Sequence, residues 1–96
     1  MATPVSFAKA IKNLFRQVDV DHMRPFDVHL DDYVWMSDPA AGTVGDCNQY
    51  PDHANGRSVF AFLNGDCTPR MPIGGPYWHP DMLALYQRWM DGGFQP

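Results

Sequence analysis

Residues 71–94, MPIGGPYWHPDMLALYQRWMDGGF, decide the fold. Pro80 stands where a helix can begin at no cost, because the first helical N–H has no partner to lose, and Asp81 beside it suits the positive end of the helix. Leu83, Leu85, Tyr86, Trp89 and Met90 then supply an apolar face, and Gly92-Gly93 stop the helix. The helix is preceded by residues 66–78, DCTPRMPIGGPYW, whose three prolines and two glycines forbid helix and central strand. This part reads as a rigid extended loop that presents Met71 and Trp78.

Moving toward the N-terminus, GRSVFAFLNG reads as a helix capped by Asn55 and stopped by Gly65, with Val59, Phe60, Phe62 and Leu63 crowding its apolar side. Residues 38–56 combine Pro, Gly, Asp and Asn without apolar periodicity. Such a long excursion is uncommon in a small domain and often carries function. Residues 30–37, LDDYVWMS, suit a short helix with Asp31 or Asp32 near its start, and Tyr33, Trp35 and Met36 cannot all face inward. At the front of the chain, Thr3-Pro4 forms a helix start, and Phe7, Ala8, Ile11, Leu14, Phe15 and Val18 recur at helical spacing. The pattern predicts one amphipathic helix over about residues 4–18, with Pro25 preventing long continuation and His22 and Met23 just past its end. No period-two alternation argues for a sheet. The fold class is therefore all-α, three to four helices with long Pro/Gly-rich loops, in a single domain spanning 1–96.

Composition narrows the function classes. The 96 residues carry a net charge of −4, and the basic residues stand singly, so no stripe exists to follow a phosphate backbone. Nucleic acid is excluded as an expected partner. No apolar run is long enough to span a bilayer, and the start of the chain lacks a basic segment leading into an apolar one, so the expectation is a cytoplasmic protein without membrane attachment. Hydrophobic residues make up 45% of the chain and aromatics 14%, enough to fold without a metal or a disulfide. Cys47 and Cys67 lie in loop segments, twenty positions apart, which rules out a C-x-x-C motif. A bridge would form in an oxidising compartment, and inside a cell the expectation is two free thiols.

The order of these features resembles a small class I cytochrome c domain: an N-terminal helix ending near a His, a middle helix, a Met-Pro loop with glycines, and a terminal helix closing in WMDGGF. QVDVDHM is similar to the haem-attachment segment, with His22 at the place of the iron-binding His. The terminal stretch MPIGGPYWHPDMLALYQRWMDGGF is similar to an axial-Met loop running into the last helix. The attachment thiols would fall at positions 18 and 21, where this chain has Val18 and Asp21, so covalent haem attachment is excluded. The same shape also resembles a group of small uncharacterised bacterial proteins with DVDHM early and MPxGGPYW late. The resemblance covers about two-thirds of the chain and leaves residues 38–56 outside it.

What the resemblance implies is a haem-free binding or accessory domain that takes a partner protein or a small ligand where a haem would sit. Its expected ligand-binding residues are His22, Met71, Trp35, Tyr77 and Trp78, with no cofactor. On the same reading, Trp35, Trp78, Trp89 and Phe60 would fill much of the interior. One alternative uses His22 and Met71, with Asp21 or Cys67 beside them, to hold a non-covalent haem or copper, since imidazole and thioether suit both metals. Another is a small cofactor-free enzyme in which His22 acts as acid and base, oriented by Asp19 or Asp21. Asp31 and Asp32 repeat that theme near His29. Carboxylates so placed commonly act as helix caps or solvated charges. Cys47 near His53 has the composition of an activated nucleophile. The spacing of His29, His53 and His79 supports no preformed zinc site.

Overall fold

The computed structural model describes residues 4–45 and 47–96. Its α-helices are α1 (Gln17–Met23), α2 (Tyr33–Met36), α3 (Ala54–Asn64) and α4 (Pro80–Asp91). No strand occurs among the described residues, and the one isolated bridge pairs Gly42 with Tyr50. The expected helical class is what the chain adopts.

α4 forms as its sequence predicts. Pro80 opens the helix with Asp81 in the first turn, and Tyr86, Trp89 and Met90 are buried on its inner face. Past Gly93 (φ 95°), Phe94 folds back, its N–H bonding to the Trp89 carbonyl at 3.0 Å. The tail is then held from three sides. The Trp89 indole donates to the Gln95 carbonyl at 2.8 Å, Tyr33 Oη donates to the Phe94 carbonyl at 2.7 Å, and the Phe7 N–H reaches the Gln95 carbonyl at 3.1 Å.

α3 starts one residue earlier than its expected cap. His53 occupies the N-cap position with φ 47°, and Asn55, inside the first turn, donates instead to the Trp35 carbonyl at 2.9 Å. Gly65 ends the helix in the left-handed conformation (φ 89°), as its sequence position requires. Gly56 permits a closer approach than the other glycines do: a Cβ there would lie 2.7 Å from the Met36 carbonyl oxygen and 2.8 Å from Phe94. The short helix α2 is capped by Asp32, whose carboxylate accepts from the Val34 N–H at 3.0 Å.

The N-terminal segment departs from the expected single helix. Thr3 lies outside the described residues. Ser6 takes the cap position, Phe7–Ile11 forms a π turn and Lys12–Leu14 a 3-10 turn, and the chain is extended at Phe15 and Arg16 before α1 begins. The reason is packing. Phe7, Ile11 and Phe15 are all buried, and the break after Leu14 resets the helical phase, so that Val20 turns inward while Val18 stays 60% exposed. His22 and Met23 therefore lie in the last turn of α1 instead of beyond a helix end.

The core joins both ends of the chain, with Phe7, Ile11, Leu30, Met36, Val59, Leu63, Tyr86 and Trp89 each almost fully buried. Trp78 packs on Phe15 (ring centroids 5.2 Å) and on Tyr86 (6.1 Å), so much of the interior is filled by aromatic side chains. Among the described residues no helix is long and apolar enough to cross a membrane.

Candidate binding cleft

α1 is positioned by its own first turn. Asp19 accepts from the Arg16 backbone N–H at 3.1 Å, satisfying a donor that the helix start leaves unpaired, and its carboxylate also pairs with the Arg16 guanidinium at 2.8 Å. Seven residues later the helix tightens into the 3-10 turn Arg24–Phe26, where Pro25 limits further α-helix, and Asp27 takes a left-handed conformation (φ 60°). That reversal leaves Phe26 67% exposed and turns Val28 inward.

The loop facing α1 is fixed by α3. The Cys67 N–H donates to the Ala61 carbonyl at 3.0 Å and the Met71 N–H to the Phe62 carbonyl at 2.9 Å, so the loop satisfies carbonyls that the end of α3 leaves free. Between α1 and this loop lies an apolar cleft of about 540 Å³. Val59 and Phe62 of α3 form its floor. His22, Met23, Phe26 and Val28 make one wall, and Thr68, Pro69, Met71 and Ile73 make the other. Val44 and Gly45, from the long excursion, close the side. A smaller recess of about 70 Å³, bounded by Phe15, Arg16, Val18 and Asp19, adjoins it and shares His22, Met23, Met71 and Ile73. The lining of the larger cleft is apolar except for His22 and Thr68, and Phe26, Ile73 (44% exposed) and Val18 surround the openings with solvent-exposed apolar surface.

The sequence-predicted binding residues separate into two groups. His22 and Met71 come together on the cleft, although they are 49 positions apart in the chain. Trp35, Tyr77 and Trp78 do not line it. Trp35 packs edge-on to His29 at 5.9 Å, Tyr77 lies beneath the Arg70 guanidinium at 4.5 Å, and Trp78 is buried in the core. Trp89 and Trp78 fill interior space, and Trp35 and Phe60, the latter stacked on Tyr86, are partly buried against the same core. The interior is thus filled on the α4 side and open on the α1 side. Sequence reasoning missed Phe26, Val44, Val59 and Phe62; only the crowded apolar face of α3 hinted at two of them.

The expected carboxylate–imidazole pair is not formed. Asp19 is bound to Arg16, and Asp21 accepts from Gln17 at 2.9 Å, so neither orients His22. Asp27, Asp31 and Asp32 also have local partners. His29 pairs with Asp27 at 2.7 Å, Asp31 with Arg24 at 3.5 Å, and Asp32 caps α2. No cluster of three His, Cys or Asp side chains suited to a metal ion occurs among the described residues.

The cysteines correct a second expectation. Cys47 and Cys67 are joined in a disulfide, with Cα atoms 5.7 Å apart, because the excursion folds back against the end of α3. Cys47 therefore offers no thiol for catalysis and Cys67 none for a metal. His53, the imidazole nearest Cys47 in the sequence, stacks face to face on Phe94 at 4.1 Å and contacts Asp52 through Nδ1 at 3.3 Å. Compared with protein-family models, with curated proteins and with solved structures, the chain matches none.

Proposed function

We propose that this chain is a haem-free, cytochrome c-like binding domain that takes an apolar small molecule, or an apolar side chain of a partner protein, into the cleft between α1 and residues 66–73. The observation that carries the reading is the convergence of His22 and Met71 on one apolar cleft of about 540 Å³. That volume lies within the range of small-molecule sites, and an apolar wall with few polar groups is their usual composition. The exposed ring of Phe26 and the side chain of Ile73 extend the apolar surface beyond the opening, which favours an occupant that remains partly outside. The disulfide is chemistry of an oxidising compartment, and we place the working chain there in preference to the cytoplasm.

The test uses 1-naphthol as an apolar probe, followed through the methyl NMR signals of Val59 and Met71. Saturable shifts are expected, and Ile73→Asp at the rim should weaken binding about tenfold, the loss of one apolar contact surface. Val34→Asp is the control, because Val34 is 76% exposed and does not line the cleft. Equal effects of the two substitutions would sink the cleft reading.

A second reading is favoured by the same convergence. An imidazole and a thioether facing one space form a donor pair that fits haem iron or copper, and without cysteines at positions 18 and 21 any haem would be held non-covalently. His22 and Met71 would hold the group, which when bound would supply one-electron chemistry. Absorption titration with ferric haem and with Cu(I) tests this: His22→Ala and Met71→Leu should each reduce affinity, and unchanged affinity in both rejects the site.

A further inference from the structure

We propose that the Cys47–Cys67 disulfide is a redox gate on the cleft, so that its reduction releases one wall and lowers ligand affinity while the helical core stays folded; this rests on the binding reading above. The geometry is specific. Val44 and Gly45, which close the side of the cleft, lie three and two residues before Cys47, and Thr68 and Pro69 of one wall follow Cys67 directly. One covalent bond therefore ties two walls of the same cleft together.

Apart from the disulfide, the described residues at the tip of the excursion are held by apolar packing, with Val44 partly buried against the core and Gly45 beside the Phe62 ring. Among the described residues, no hydrogen bond runs from residues 43–49 to any part of the chain outside 42–50. The base of the excursion, by contrast, is clamped. Gly42 and Tyr50 exchange backbone hydrogen bonds of 3.0 and 2.8 Å, and the His53 and Ala54 N–H groups bond to the Pro39 and Ala40 carbonyls at 3.1 Å. Cys67 is anchored separately by its N–H on the Ala61 carbonyl. Cleaving the bond thus leaves Val44 and Gly45 held by apolar packing alone, while the base of the excursion and the loop after Cys67 keep their own hydrogen bonds.

The chemistry is thiol–disulfide exchange with a dithiol reductant. Cys67 is only 6% exposed and Cys47 is half-buried, so the attacking thiolate meets the Cys47 sulfur. A mixed disulfide forms there and Cys67 leaves as a thiolate. The second thiol of the reductant then attacks its own sulfur in the mixed disulfide and expels the Cys47 thiolate. Two electrons pass from the dithiol to the cysteines, the reductant is oxidised to a disulfide, and each cysteine takes up a proton.

The experiment compares 1-naphthol binding by the oxidised chain, the chain reduced with tris(2-carboxyethyl)phosphine, and a Cys47→Ser/Cys67→Ser variant, with amide hydrogen exchange measured on each. The expected result is affinity lower by about tenfold in both thiol-altered forms, the effect of withdrawing a buried apolar side chain from the ligand. Exchange protection should persist in α3 and α4. Equal affinity with and without the bond overturns the gate and leaves the cleft reading standing. Loss of protection throughout α3 and α4 also overturns it, because the bond would then be a staple of the whole fold. No binding by the oxidised chain overturns the gate and the cleft reading together.

Discussion

Tyr86 Oη donates a 2.7 Å hydrogen bond to the carbonyl of Gly56, joining the buried face of α4 to the first turns of α3. The same glycine lets α2 and the tail close on α3: a Cβ there would meet the Met36 carbonyl oxygen and the Phe94 ring. Gly56→Ala is expected to cost about 2 kcal/mol, since two of the obstructing groups are backbone and a packed ring that cannot both move aside. Tyr86→Phe should cost about 1 kcal/mol, the net value of one hydrogen bond. Chemical denaturation of the two variants checks the order, which reverses if the close approach is readily relieved.

The same tyrosine sets an alkaline limit. Burial pushes the Tyr86 phenol well above its ordinary value. A group with a raised folded pKa contributes fully below its unfolded pKa, about 10, and that contribution is lost as pH rises further. Thermal melts of the native chain should therefore fall in temperature above about pH 10, and Tyr86→Phe should flatten that limb.

At acid pH the relevant group is Asp52. Hydrogen bonds from Arg57 and His53 hold its carboxyl below the usual range. A depressed folded pKa gives stability that is present above the unfolded value, about 3.9, and lost as pH falls through the folded one. Asp52 is solvent-exposed, so the effect is small and salt-sensitive. Melting temperatures of Asp52→Asn should decline less steeply than those of the native chain in the acid limb, and identical slopes would count against this assignment.

Ser58 carries a cost that can be removed. Its hydroxyl is fully buried on α3 with no hydrogen-bond partner among the described residues. Ser58→Ala should raise stability by about 1 kcal/mol, because an unsatisfied buried polar atom costs at least that much. A denaturation midpoint that falls instead would show the hydroxyl to be satisfied.

Reduction of Cys47–Cys67 should cost about 3 kcal/mol, the chain-entropy value for a closed loop of about this length. Denaturant titration with and without reductant measures it. A change within a few tenths of a kcal/mol would mean that reduction loosens the folded chain nearly as much as the unfolded one.

Local sequence determined the helices whose signals are local. Pro80, Asp81 and Gly92-Gly93 delimit α4, Gly65 ends α3, and Asp32 caps α2, because each acts through its own backbone conformation or the nearest N–H groups. His22 and Met71 were legible as residue types suited to binding, and the all-α class followed from the 3.6-residue spacing. Tertiary structure decided the rest. The N-terminal periodicity predicts one helix, but the chain breaks after Leu14 and turns Val20 inward in place of Val18, a choice made by packing and not by local preference. Trp35 and Tyr77 lie outside the cleft, and Val44, Val59 and Phe62 line it, because a cleft is made by segments that meet in space. The cysteines show the difference most plainly: their spacing was neutral between thiols and a bridge, and only the return of the excursion to the end of α3 brought them within bonding distance.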